Sequence, residues 1–208
     1  MQQQPSRRCA LLLLAWLVLL LPARAALGQN AFTLYGGYAG GGSFEQQTGS
    51  TTANADVASS FTGAASIDWA LDAARNVQLF ASGQRSTLQL AGANPGSVDL
   101  GLYYLHLGGS NFFEGRAGQG GYVAGGLGAT LMSPSGSGLG SEVRPSMSLA
   151  IGYEHAFGPS LALRAELRGY ATLINSSGSF FCSGGCIVSL KGDALIQGAA
   201  LVGLSLRF

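Results

Sequence analysis

Charge is scarce in this 208-residue chain. Acidic and basic side chains make up 10% of it, against about 25% in ordinary soluble domains. Basic excess is missing too. Without the leader described below, which carries Arg7, Arg8 and Arg24, 8 basic side chains face 10 acidic ones, a net charge of −2. Nucleic acid is therefore not an expected partner. Beyond residue 25 no run of 18 apolar residues occurs, which excludes a membrane-spanning helix. There are no helix-like heptads. Histidine occurs twice, at His106 and His155, and cysteine three times. Cys9 lies in the leader, so the rest of the chain keeps Cys182 and Cys186, an even pair. No third soft ligand stands near them for zinc.

Glycine is abundant instead: 33 residues, about double its average usage. These glycines are spread through apolar segments and not gathered in low-complexity tracts, which suggests β-structure with closely approaching backbones. The N-terminus reads as a secretory signal over residues 1–25. Arg7 and Arg8 form its positive region, and Ala10 to Leu21 its apolar region. Pro22 breaks that run, and Ala23-Arg24-Ala25 fits the small-x-small cleavage rule; Ala26-Leu27-Gly28 fits as well. Cys9 precedes the apolar region and cannot be a lipoprotein's acylated cysteine. Residues 26–208 are expected to form one domain.

The last stretch shows the organisation most plainly. Counting back from Phe208, the residues Leu206, Leu204, Val202 and Ala200 alternate with Arg207, Ser205 and Gly203. Strict alternation is the period of a strand with one apolar face. Leu201 is an exception, and the register sends it and Leu195 to the opposite face. Seven more segments of this kind precede it, separated by Gly, Ser, Asn and Pro clusters. They run over 31–40, 57–71, 77–90, 100–113, 121–132, 145–155 and 161–173. Tyr103, Leu105 and Leu107 are the favoured outer face of the fourth. The third loses its register after Arg85, where a bulge is possible by the pattern.

Loops after segments one, three, five and seven, at 41–56, 91–99, 133–144 and 174–193, are mostly long and polar. Those after two and six are short, and the one after four is intermediate. A transmembrane barrel has this asymmetry, with long loops outside and tight turns in the periplasm. A soluble sandwich shares the alternation, so three other features decide. The segments run to about 11–15 residues, beyond the 5–6 usual in globular strands. Charges within them, Asp68, Glu154, Arg164, Glu166 and Arg168, fall mostly on the expected inner face. Aromatics gather near segment ends: Phe32, Trp69, Tyr122, Tyr153 and Phe208 at one end, Tyr38 and Phe61 at the other. Strands in lipid must close into a ring to satisfy their backbone groups. The expected fold is all-β, an eight-stranded antiparallel up-and-down transmembrane β-barrel.

The export signal, the eight alternating segments and the terminal Leu204-x-Leu206-x-Phe208 together resemble the small outer-membrane β-barrels typified by the OmpA transmembrane domain, OmpX and the opacity proteins. The resemblance covers residues 31–208. It implies a bacterial outer-membrane location, with membrane lipid and lipopolysaccharide as surroundings. It also implies that Leu204, Leu206 and Phe208 form the signal read by the barrel-assembly machinery. No peptidoglycan-binding domain follows Phe208, so cell-wall anchoring is not expected.

An eight-stranded barrel has a lumen that side chains just fill. If the Gly158-Pro159-Ser160 turn sets Phe157 opposite Leu161, Glu154 lies opposite Arg164 and Gly152 opposite Glu166. The expected interior is then ion-paired through Glu154, Arg164, Glu166 and Arg168. The role expected is structural or surface-interacting, with an extracellular ligand possible through the loops. The alternative is a narrow pore gated by these pairs. A lipid A-modifying enzyme and a secreted soluble β protein rank lower. Lipid-modifying sites need a His near the outer leaflet, whereas His106 and His155 fall late in descending segments, and neither belongs to a His-x-Ser motif. Trp69 and Tyr153 are expected at the interface, with His155 beside Tyr153. Cys182 and Cys186 are expected to form a disulfide across a five-residue loop, worth at most about 2 kcal/mol in loop closure. Gly125-Gly126-x-Gly128 lies within a strand and lacks the Lys-Ser/Thr and helix of a phosphate loop. No cofactor or metal is expected.

Overall fold

A computed structural model of the chain describes residues 30–48, 51–90, 96–114, 116–135, 140–174, 189–191 and 194–208. The expected leader, both cleavage sites and the Cys182–Cys186 pair lie outside the described residues. Eight long strands form the ring: β1 (Ala31–Gly40), β4 (Ser60–Ala70), β5 (Arg75–Leu90), β6 (Gly96–Phe112), β7 (Gly120–Ser135), β8 (Glu142–Ala156), β9 (Leu161–Leu173) and β11 (Ala194–Arg207). Each pairs antiparallel with its neighbours, and β1 pairs with both β4 and β11, which closes the barrel. At closure Leu34 stands opposite Leu204 and Phe32 opposite Leu206.

Alternation sets the two surfaces. β9 is the plainest strand: Leu161, Leu163, Ala165, Leu167 and Leu173 are exposed or outward, while Arg164, Glu166, Arg168 and Tyr170 are buried within. Its 13 residues, rising about 3.3 Å each and tilted by roughly 40°, span about 30 Å of height. On the facing strand β8, Met147, Leu149, Ile151 and Tyr153 point outward.

Two expectations need correction. The polar stretch 41–56 is not a plain loop. It contains β2 (Ser43–Thr48) and β3 (Thr51–Val57), which pair with each other. β2 also pairs with the short β10 (Ser189–Lys191), and β3 joins the ring through Asp56 opposite Gln89 and Val57 opposite Leu88. A small sheet thus rises from one side of the rim. Apart from Phe44, Val57 and Leu190 its residues are polar or alanine, too weak an apolar alternation to mark strands in the sequence. Nor is there a bulge after Arg85. β5 and β6 pair without interruption from Arg75 opposite Asn111 to Leu90 opposite Gly96. The register blurs in sequence because outward residues turn polar there (Arg85, Thr87, Gln89) while Leu88 points inward.

The ends differ. The connections at 71–74, 113–119 and 157–160 lie at one end, the turn end, and those at 41–59, 91–95, 136–141 and 174–193 at the other, the loop end. Strands β6 to β8 run further than expected there, so the expected loops 91–99 and 133–144 are shorter than the sequence pattern suggests. At the turn end, the segment after Phe112 folds against the mouth. Ala117 N–H donates to Ala73 C=O at 2.6 Å, and Arg207 donates to Gly118 C=O at 3.3 Å and to Gly158 C=O.

Candidate functional site

Within the turn half of the lumen, Arg164 is 1% exposed and lies at the centre of an ion network. Its Nε donates to Glu154 Oε2 at 2.6 Å; its NH1 donates to Asp68 Oδ2 at 2.9 Å and to Tyr35 OH at 3.1 Å. The register makes this possible. Glu154 is the direct cross-strand partner of Arg164, and Gly152 that of Glu166. Asp68 arrives from β4, across the closure through β1.

A second guanidinium extends the network. Arg168 donates from Nε to Glu166 Oε1 at 2.7 Å, from NH1 to Ser148 Oγ at 3.0 Å and from NH2 to Gln78 Oε1 at 3.1 Å. Its flat face lies 3.8 Å from the centre of the Phe80 ring, a favourable cation–π placement. Gln78 joins the two groups, donating its Nε2 to Asp68 Oδ1 at 2.8 Å. Tyr122 donates to Glu166 Oε2 at 2.8 Å. Three carboxylates thus meet two guanidiniums, and Glu154 Oε1 is the carboxylate oxygen without a hydrogen-bond partner. The rings of Tyr35 and Tyr122 need space. A Cβ at Gly203 would sit 2.6 Å from the Tyr35 ring, and one at Gly152 would sit 2.4 Å from Tyr122. Glycine at both positions lets each ring lie on the wall.

Above this network the lumen turns aromatic and then apolar. Tyr104 and Tyr170 stack with ring centres 4.2 Å apart. Tyr104 donates to Gln197 Oε1, and Gln197 Nε2 donates to Gly41 C=O at 3.0 Å. Nearer the loop end, Leu100, Leu102, Met132 and Leu195 are all at most 1% exposed and pack in one cluster with Leu88 and Leu201. Leu195 and Leu201, the two misfits of the closing strand's pattern, are buried parts of this packing.

His106 is displaced from its expected place. It does not sit near the turn end but in mid-barrel, opposite Phe80 and Gly128, six residues before β6 ends at Phe112. Its Nε2 is 2.9 Å from Ser146 Oγ. A Ser–His pair suggests a nucleophile and its base. Here His106 Nδ1 has no hydrogen-bond partner to orient it, and His106 is 1% exposed, Ser146 6%. The pair is packed between β6 and β8 without access for a substrate. His155 lies outside, edge-on to Phe157 with ring centres 5.1 Å apart. Among the described residues no cluster of three or more His, Cys, Asp or Glu side chains is placed to hold a metal ion.

The outer face carries the remaining candidates. Leu204, Leu206 and Phe208 are 54–58% exposed and Tyr153 is 52% exposed; Trp69 is half-buried on the same outer face. Tyr122 departs from its expected place in the interfacial set. It is fully buried inside, as the outward parity of Val123 and Leu127 requires. Sequence reading put Asp68 on the inner face but did not join it to Arg164. It missed the bridging Gln78 and the His106–Ser146 contact altogether. Inward parity was the signal available for all three, but the contacts across the lumen depend on strands that are distant in sequence.

Apolar outside and ionic within, this is the inverse of a soluble barrel and the pattern of a barrel in lipid. The chain has the fold of the small eight-stranded outer-membrane β-barrels. It is similar to OprG from Pseudomonas aeruginosa, at 13% identity and a TM-score of 0.57, over 88% of this chain and 97% of that one. Neisserial surface protein A gives 14% identity and a TM-score of 0.52, over 86% and 99%. The outer membrane protein AlkL, determined in lipid bilayers, gives 17% identity and a TM-score of 0.53, over 90% and 95%. No protein-family model matches the sequence, and no curated protein matches it.

Proposed function

We propose that this protein is a bacterial outer-membrane barrel with a packed lumen, serving a structural or surface-interaction role through its loop end. One observation carries the reading. An outward belt of exposed leucine, valine and isoleucine encloses a buried network of three carboxylates and two guanidiniums. Water around such a belt is unfavourable, and lipid is its natural solvent. On this reading the turn end faces the periplasm. The leader over residues 1–25 exports the chain, and Leu204, Leu206 and Phe208 present the assembly signal to the barrel-assembly machinery. The test is fractionation with a gel run before and after boiling. Recovery with outer membranes and a heat-shifted band support the reading. Recovery in soluble periplasm, with no heat shift, overturns it.

A narrow pore is the second reading. The polar chain Glu154–Arg164–Asp68–Gln78–Arg168 favours it, since these groups would solvate an ion once rearranged. The leucine and methionine layer nearer the loop end opposes it. Planar-bilayer recordings separate the two. A packed lumen predicts no steady conductance from wild type, and discrete openings that rise in Arg164→Ala would favour the pore.

A further inference from the structure

On three neighbouring strands the outer wall changes from apolar to polar within one residue step, and the three changes meet at one point. β5 runs outward through Val77, Leu79 and Ala81 to Gly83, then Arg85 and Thr87. β6 carries Leu107, Leu105 and Tyr103, then Gly101 and Asp99. β7 carries Leu127, Ala129 and Leu131, then Ser133 and Ser135. Gly101 stands at the crossing, directly opposite Arg85 on one side and Ser133 on the other. Asp99 and Tyr103 flank it along its own strand. A cleft of about 560 Å³ results, with Arg85, Asp99, Tyr103, Ser133 and Ser135 among its walls.

Gly101 makes the floor. A Cβ there would lie 2.9 Å from the Tyr103 ring, which leans over this position, and 3.3 Å from its hydroxyl. Among the described residues of the eight ring strands, Arg85 and Asp99 are the outward-facing charges at this end; Arg75 is at the other. Arg85 also has no ion-pair partner among the described residues, so its donors are available.

We propose that this cleft seats the phosphorylated-sugar headgroup of an outer-leaflet lipid. The inference rests on the outer-membrane reading and names the lipid class for it. The position selects a headgroup, because the cleft faces outward just above the apolar belt. Arg85 selects an anion, with geometry suited to phosphate. Asp99 argues against a simple anionic phospholipid, which offers it repulsion and few hydroxyls. A sugar answers Asp99, Ser133 and Ser135 with hydroxyl groups and can lie against the face of Tyr103. Leu105, Leu107 and Leu131 continue the wall below, where acyl chains would run.

The test uses the full chain in phosphatidylcholine nanodiscs, with either lipid A or phosphatidylglycerol added at equal charge. Retained lipid is counted by native mass spectrometry. Wild type should retain lipid A in preference to phosphatidylglycerol. Arg85→Gln should lower that retention about tenfold, the effect of losing one charge-assisted donor. Gly101→Val should lower it by filling the floor, while Arg75→Gln at the opposite end leaves it unchanged. Soluble glucosamine phosphate should compete weakly; full competition at equal concentration would assign the cleft to a free sugar phosphate and overturn the lipid assignment. Equal retention of both lipids, or no effect of Arg85→Gln in an inserted barrel, overturns the site alone. A chain that never gives a heat-shifted band overturns the membrane reading and the site with it.

Discussion

The two halves of the lumen solve the same packing problem by opposite means. The turn half is filled by Arg164, Asp68, Glu154, Glu166 and Arg168, each at most 3% exposed. The loop half is filled by Leu88, Leu100, Leu102, Met132 and Leu195. Apolar packing is non-directional and tolerates rearrangement at modest cost. A buried guanidinium is not tolerant: each donor needs an acceptor at a fixed angle, and the desolvation cost is recovered only when all are met. The ionic half therefore fixes register and the apolar half excludes water. A one-residue slip of β9 would turn Arg164 and Arg168 into the apolar exterior.

The largest effect should come from breaking the ionic half at its centre. Arg164→Ala leaves Asp68 and Glu154 buried without their shared cation. Removing one partner of a buried pair costs about 3–5 kcal/mol. The triple variant Asp68→Asn, Glu154→Gln, Arg164→Met removes the charges together and should lose distinctly less. Urea unfolding in detergent micelles gives both values. Equal losses would mean that the charges are hydrated, and that the two halves differ less than their composition suggests.

The apolar half should respond less. Leu102 is fully buried, and Leu102→Ala removes buried methyl groups and leaves a cavity, at about 2–4 kcal/mol. This variant should keep the heat-shifted band, because register is held elsewhere. A loss under about 1 kcal/mol would show that the loop half collapses freely around the deletion. In that case its leucines fill space without defining it.

The wall of the barrel was legible in the sequence and the lumen contacts were not, for a physical reason. Facing is local information: alternation on β9 gives Leu163 outward and Arg164 inward without reference to any other strand. Contact across the lumen is not local. Arg164 meets Asp68 only because β1 closes the ring between β4 and β11, and the register at both seams must be known. Glu154 opposite Arg164 was readable because a three-residue turn joins their strands. Where apolar residues are few and small, as in β2 and β3, alternation is too weak to signal and the strands went unseen. Tyr122 shows a different failure: proximity to a strand end suggested the interface, although parity already sent it inward.

The smallest effect isolates burial from chemistry. Asp72, in the turn joining β4 to β5, and Arg75, the first residue of β5, pair as Arg164 and Glu154 do, with Arg75 Nε 2.6 Å from Asp72 Oδ2. Here the pair is exposed. The Arg75 side-chain hydrogen bond, followed by the Ala74 and Arg75 backbone N–H groups, holds the Asp72 carboxyl below the usual carboxylate range. A carboxyl lowered on folding adds stability that is complete above its unfolded pKa, near 4, and is lost as pH falls through the folded value. Wild type should therefore exceed Asp72→Asn slightly at neutral pH, and the gap should close towards pH 3. Salt should shrink the gap at pH 7, since exposed charges are screened. Urea midpoints for both proteins across pH 3–7 measure it. A gap that stays constant with pH would show that the carboxylate charge contributes nothing, since asparagine keeps an oxygen to accept the two backbone hydrogen bonds.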